Sequence, residues 1–387
     1  MQKDFHYYAT YCAAWLAGYR HDEALEIAYS AQLVDECSRT LLTGLKAPAA
    51  AATTQLQLEL MDARTDPVGL QDITRIWASF HFLPRDLFAR REKCSRLYRS
   101  KYRLLCGPNG PLVKDTVELA ESGGSLQAAG LAMHVLADTW AHQYFAGTPS
   151  LVLNNTDYNF WELVPDGEGY RERPIVFRHN PTSPDDLEQG IYTNSLFQSR
   201  ETSIMNLGHG RAGHLPDYSF MRYRYLPAWS GYGAVVKDNP ADYMLAFRQM
   251  VRALKFLRGA APAFAVEEYD REAVDPHAGA VRAILTRRQP DACGDWRVLG
   301  ERLSGETIPD FDLNLCREEY RRAEDKDRTV LGRFILAALA QKSMVTDRIF
   351  RSGNLMAGFS VDYGRKGFRG IRDFRKLVEQ IEREEKK

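Results

Sequence analysis

Residues 131–145 read LAMHVLADTWAHQYF, and they set His134, Asp138 and His142 four residues apart in an almost wholly apolar run. Four residues of α-helix turn through about 400°, so each of the three lies only about 40° round from the last, on one face. At a rise of ~1.5 Å per residue the two histidines start about 12 Å apart along the axis. A metal–nitrogen bond is only ~2.0–2.1 Å long. One ion would struggle to collect both rings, whereas two ions about 3.5–4 Å apart, bridged by the central carboxylate, could do so. The flanking Leu131, Met133, Val135, Leu136, Trp140 and Ala141 leave the helix apolar nearly all round, which marks it as buried. An unpaired carboxylate there would cost several kcal/mol. Asp138 therefore needs a partner, either a cation or simply the two histidines themselves.

The chain has 387 residues and no formal net charge. Neutrality argues against broad binding to duplex nucleic acid, which relies on basic surface. Six cysteines (12, 37, 94, 106, 293 and 316) form no CxxC pair, and they read as reduced thiols of a cytoplasmic protein. The opening MQKDFHYYATYCAAWLAGYR is interrupted by Asp4, His6 and three tyrosines, so it reads as a first buried helix closed by Gly18 and not as a cleavable signal. No stretch reaches the ~18 apolar residues of a transmembrane helix.

Helical periodicity dominates the rest. A helix opening at residues 21–23 and running to Leu42 carries the stripe Ala24, Ile27, Ala28, Ala31 and Val34, and Asp35 continues it inward. Residues 46–69 read as a loop or weak helix. A helix over 70–83 places Ile73, Ile76, Trp77 and Phe80 on one face, with His81 four residues after Trp77 and Pro84 as its stop. A charged helix over 85–105 precedes the His134 helix, which Gly147 and Pro149 are expected to end. From 148 to 235 Asn, Pro, Gly and aromatic residues accumulate, with short β-like pieces. Such an insert suits a lid or substrate wall, and it holds GHGRAGHLPD, with His209, His214 and Asp217. Helices return after 240. The tail over 371–387, with Ile371, Phe374, Leu377, Val378 and Ile381 on one face, is expected to dock on the body.

The expectation is thus a mainly α protein: a multi-helix bundle around a His/Asp metal cluster, with an irregular, partly β insert. Residues 1–147 form the helical metal-binding core, 148–235 the insert contributing ligands, and 236–387 a helical part packed on the core. The candidate ligands are Asp4, His6, Asp35, His81, His134, Asp138, His142, His209, His214 and Asp217. Histidine and carboxylate suit zinc, manganese or iron hydrolase centres, and the lack of cysteine pairs argues against a thiolate-rich structural zinc site.

Taken in order, these residues resemble the all-helical superfamily of zinc-dependent phospholipases C and S1/P1 nucleases. That family uses an N-terminal histidine, an Asp on the next helix, another His, a His-x3-Asp helix with a further His, and a later His with a nearby acid. The matching positions are His6, Asp35, His81, His134 with Asp138, His142, and His214 with Asp217. MQKDFHYYATY, HVLADTWAHQYFAG and GHGRAGHLPD mark the chain as similar to an uncharacterised bacterial branch. The resemblance covers about the first 220 residues and implies a phosphoesterase with two or three ions, zinc first and manganese or iron as alternatives. Three departures stand out. The secreted relatives use the free amine of a mature N-terminal Trp; with Met1 first, that ligand is expected to be missing, and either Asp4 replaces it or one metal is absent. His142 follows Asp138 more closely than usual. The final pair is His-x2-Asp, which leaves His209 as a competing ligand.

Metal-bound hydroxide is the expected nucleophile, with Asp138 and Asp217 holding the ions and Arg211 meeting a phosphate oxygen; Arg39 is a second candidate for that task. The insert's Tyr158, Phe160, Trp161, Tyr218, Trp229 and Tyr232 either line a substrate pocket or form the insert's own small core. The expected substrate is a phosphate-ester small molecule, a lipid headgroup or a single-stranded nucleic acid, acted on by a monomer or homodimer. Two alternatives are a non-catalytic, metal-stabilised binding protein and an HD-type phosphohydrolase. The second would need His21 and Asp22 as ligands, although Asp22 also suits a helix cap.

Overall fold

The computed structural model describes residues 1–63, 67–89, 102–150, 153–178, 184–194 and 207–354. The chain starts with a π-helical turn, Asp4–Ala9, that runs into α1 (Thr10–Leu16). π turns are rare and cluster at functional positions; this one is buried throughout and carries His6. Gly18, at φ 92°, closes the segment as its N–H reaches the Trp15 carbonyl at 2.8 Å. In α2 (His21–Glu36) the predicted stripe Ala24, Ile27, Ala28, Ala31 and Val34 is fully buried. After α3 (Arg39–Gly44), the stretch expected to be loop or weak helix holds a 3-10 turn, Ala49–Ala51, and α4 (Gln57–Ala63). Then α5 (Pro67–Phe80) buries Ile73, Ile76 and Phe80, with His81 just past its end.

Two further helices complete the first half, α6 (Pro111–Gly123) and α7 (Leu126–Ala141). Ser125 caps α7, its hydroxyl accepting from the Ala128 N–H at 3.1 Å. The helix stops at Ala141, six residues before the Gly147 expected from the sequence. His142 is its cap, and the turn that follows puts Tyr144 at φ 80°, a strained backbone for a residue with a side chain. Hydrogen bonds from Cys106 N to Phe145 O (2.7 Å) and from Tyr144 N to Cys106 O (3.0 Å) hold that turn.

The insert is more regular than its composition suggests. Strands β1 (Thr156–Asp166), β2 (Gly169–Pro174), β5 (Arg222–Pro227) and β6 (Val235–Asp238) form an antiparallel sheet in the order β2-β1-β5-β6, while β3 (Val176–Arg178) and β4 (Ile191–Thr193) pair in parallel. Alternation in β5 turns Tyr223 and Tyr225 inward. There they join Phe160, Tyr218 and Phe220 in a second apolar core that also takes Phe82 and Phe145 from the helical part. Of the aromatics singled out in the insert, Phe160 and Tyr218 join this core, whereas Trp161 lies under the Arg224 guanidinium at 3.8 Å, Trp229 packs beside Tyr144 and Tyr232 is exposed. The side chain of Tyr158 lies outside the described residues.

The C-terminal part adds α8 (Asn239–Leu257), α9 (Arg271–Val274), α10 (Ala278–Thr286), α11 (Cys293–Ser304), α12 (Leu313–Arg322) and α13 (Val330–Arg351). These bear out the return of helices expected after 240. One main core runs from Met1 to Ile349, so the C-terminal helices share the core of the first half. The insert is tied to them through Glu162, whose buried carboxylate accepts from Arg173, Arg288 and the Tyr192 hydroxyl. Among the described residues the cysteines are free thiols, and no helix is long and apolar enough to cross a membrane. The tail over 371–387, His179, Cys94 and most of the charged stretch over 85–105 lie outside the described residues.

Candidate metal centre

Four histidines are fixed by backbone carbonyls. Nδ1 of His134 faces Ala31 O at 2.9 Å, Nε2 of His81 faces Thr53 O at 3.0 Å, Nδ1 of His142 faces His81 O at 2.7 Å, and Nδ1 of His209 faces Gly213 O at 2.7 Å. A carbonyl only accepts, so in each neutral ring the hydrogen sits on that nitrogen and the other nitrogen presents a lone pair. Those lone pairs converge on carboxylates and on one another. His134 Nε2 lies 3.3 Å from His81 Nδ1, and the two lie 3.2 and 3.1 Å from Asp138 Oδ2. His142 Nε2 and His209 Nε2 lie 3.2 and 3.6 Å from Asp217 Oδ1. His6 Nε2 comes within 3.1 Å of Asp138 Oδ1, yet neither of its buried ring nitrogens has a hydrogen bond.

Acceptors facing acceptors repel unless a cation stands between them. The Met1 ammonium is one such cation for Asp138 Oδ1, Asp217 Oδ1 and His142 Nε2, and it leaves the contacts of Asp138 Oδ2, His81 and His134 uncompensated. Ligand atoms ~2.0–2.1 Å from a tetrahedral ion are about 3.3 Å apart, close to most of these separations. Three groups result: His6, His134 and Asp138; Asp35, His81 and His134; and His142, His209 and Asp217. In the second, Asp35 Oδ1 is 3.9 Å from both ring nitrogens. Donor chemistry and spacing therefore fit metal ions. The grouping also places His134 and His142 apart, with Asp138 between them, as the helical spacing requires.

Burial pushes the imidazoles of His6, His134 and His209 down to about 4, so they are neutral near pH 7. Burial alone would raise Asp138 and Asp217; the surrounding histidines and the Met1 ammonium outweigh it and hold both carboxyls well below their usual range. The Met1 ammonium itself stands inside the cluster. The amino nitrogen of Met1 lies 2.8 Å from Asp138 Oδ1, 3.2 Å from His142 Nε2 and 3.3 Å from Asp217 Oδ1. Burial works to lower its pKa, but Asp138 and Asp217 prevail and raise it to about 11.

Local sequence explains much of the placement. Gly130 lets α7 press on α2: a Cβ there would stand 2.2 Å from Ile27 O and 3.0 Å from Ala31 N. That approach brings Ala31 O to His134, one turn on. In the insert Gly213 adopts φ +55°, and a Cβ would stand 2.1 Å from Thr193 O. This tight turn lets the Gly213 carbonyl reach back to His209.

Not every candidate joins. Asp4 is buried, but its carboxylate accepts from the Phe5 N–H at 2.7 Å and belongs to none of the three groups; burial raises its pKa to about 6. His214 is more than half exposed and meets Asp217 Oδ2 at 3.3 Å, so His209, not His214, completes the third group. Arg211 is buried in the loop between these two histidines. Arg39 pairs with Asp72 at 2.5 Å. His21 is bonded to the Tyr11 hydroxyl at 2.8 Å and Asp22 pairs with Arg20. Both sit at the opposite end of α2 from Asp35, about 20 Å away by helical rise. Sequence reasoning raised the N-terminal amine and set it aside, and it missed Thr53, which acts only through its backbone and hydroxyl.

A family model, described as a family of unknown function (DUF6765), matches residues 1–349. The chain belongs to that family. The DUF6765 match spans the helical first half, the insert and nearly all of α13, and it includes every residue of the three groups. No curated protein and no solved structure matches the chain.

Proposed function

We propose that this DUF6765 protein is a metal-dependent phosphoesterase with up to three ions held by His6, His134 and Asp138, by Asp35, His81 and His134, and by His142, His209 and Asp217. The observation that carries the metal reading is the set of ring nitrogens turned onto carboxylates, with the far nitrogen of His81, His134, His142 and His209 each facing a backbone carbonyl. Such outer partners set the tautomer of a ligating histidine. Bound ions would act as Lewis acids toward a phosphoryl oxygen and acidify a water.

The chain's own residues do the rest. Asp138 presents one oxygen to His6 and the Met1 amine and the other to His81 and His134, so it shares its charge between groups. Asp217 faces His142 and His209 through one oxygen and is steadied by His214 at the other. Neither carboxylate is left over to serve as a separate base. Arg211, in the loop between His209 and His214, is the proposed partner of a phosphate oxygen. His6, His134 and Asp138 are closed off from solvent, whereas Asp35 and His209 are 30% and 18% exposed. Structural metal sites are closed and catalytic ones keep an open position. The second and third groups are therefore the ones proposed to meet substrate, with zinc the first choice for a cysteine-free His/Asp donor set.

The test is metal analysis of the purified protein, followed by hydrolysis of bis(p-nitrophenyl) phosphate and p-nitrophenyl phosphate with zinc, manganese or iron added. Turnover that chelation abolishes and metal restores is the expected result. Stoichiometric metal without hydrolysis of either ester under any of the ions would replace the enzyme with a metal-stabilised binding protein.

A further inference from the structure

The metal position formed by Asp35, His81 and His134 leans on a stretch with almost no side chains. Residues 49–52 are four alanines in a row, held from within only by their 3-10 turn bonds and two buried methyls. They are held from outside by α13. The Lys342 ammonium, on a side chain almost fully buried, donates to Ala50 O at 2.6 Å and Ala52 O at 2.5 Å.

The next residue, Thr53, is wholly buried, and besides a long hydroxyl contact to Cys37 O at 3.5 Å it makes three short bonds. Its N–H donates to Cys37 O at 2.9 Å and its hydroxyl to Val34 O at 2.6 Å, while its carbonyl accepts from His81 Nε2 at 3.0 Å. One residue thus ties the chain on either side of Asp35 to the ring of His81. From α13 the neighbouring Gln341 also donates to Ser79 O at 3.2 Å, two residues before His81. Buried carbonyls need donors, and an ammonium can serve two at once; an apolar side chain at position 342 would fill the space without holding the strand.

We infer that Lys342 is a positioning residue for this metal position: it fixes the 50–53 backbone, whose Thr53 carbonyl sets the tautomer and aim of His81. The inference rests on the metal-centre reading above, and it assigns the C-terminal helix a part in a site to which it gives no ligand.

The test compares Lys342→Met, Lys342→Arg and Val345→Ala, the last a buried change one turn along α13 that touches none of these carbonyls. In metal-free protein, long-range 15N–1H NMR reads the His81 tautomer; in zinc-loaded protein, metal analysis reads stoichiometry. Wild type should show His81 protonated on Nε2. K342M should show mixed tautomers and about one zinc equivalent fewer, K342R should recover both readouts, and V345A should leave both as in wild type. K342M with an unchanged tautomer and zinc content overturns the inference, as does V345A matching K342M. If K342M does not fold, Thr53→Val, which removes only the hydroxyl's bonds to Val34 and Cys37 and leaves the Thr53 backbone in place, carries the same expectation. Wild-type protein that takes up no zinc would sink the metal-centre reading instead, and the tautomer measurement would still judge Lys342 by itself.

Discussion

The carbonyl of Ala31 stands 2.9 Å from Nδ1 of His134, and the missing side chain of Gly130 is what lets the two helices come that close. Gly130→Ala should force α2 and α7 apart. Overpacking of this kind costs about 1–3 kcal/mol, readable as a lower urea midpoint. Zinc content should fall with it, because His134 serves two of the three groups. Unchanged stability together with full zinc would refute the role given to this contact.

Asp138 and His209 separate the proposed ligands from their neighbours. Asp138→Asn puts an amide donor among ring lone pairs, and it should remove more than one zinc equivalent. His209→Ala should remove about one, and His214→Ala none. Loss of metal from His214→Ala with retention in His209→Ala would reverse the assignment at Asp217.

The Met1 ammonium is enclosed, with two carboxylates and an imidazole around it. Residues fused ahead of Met1 would turn it into an uncharged amide and crowd the centre. Removing one partner of a buried ion pair costs roughly 3–5 kcal/mol. Protein carrying an uncleaved N-terminal tag should therefore melt lower and bind less zinc than protein whose tag has been removed back to Met1. Identical melting of the two forms would show that this ammonium contributes nothing.

Most of the centre could be read from residue order. His134, Asp138 and His142 follow from helical spacing, and Asp35 and His81 from the stripes they extend. What could not be read depends on contacts remote in sequence. The choice of His209 over His214 turns on a left-handed Gly213, and Asp4 is lost because its carboxylate turns back onto its own π turn. The sheet of the insert was obscured because its strands are rich in Arg, Glu and Pro on the outer face, which hides the alternation that Tyr223 and Tyr225 show in space. The early stop of α7 at Ala141 rests on the Cys106–Phe145 pairing, formed between segments about forty residues apart.

Metal-free protein should be acid-sensitive well above the carboxylate range. His6, His134 and His209 titrate near 4 when folded and near 6.5 when free. Between those values the unfolded chain binds more protons, so the stability present above about pH 6.5 is lost progressively as the pH falls toward 4. Urea midpoints at pH 7.5, 6 and 5 should descend in that order, and bound zinc should hold the pH 6 value nearer to that at 7.5. A flat profile from 7.5 to 5 would contradict the burial of neutral rings.

Glu162 gives the chain an indivisible character. Its two guanidinium partners come from opposite sides of the insert's end: Arg173 on the adjacent strand, Arg288 beyond α10. A fragment truncated after the insert would strand a half-neutralised anion in an apolar interior and open the shared core beneath it. Excising the C-terminal helices would also remove α8, whose Asn239 and Tyr243 hold the backbone carbonyls of 215–218 around Asp217.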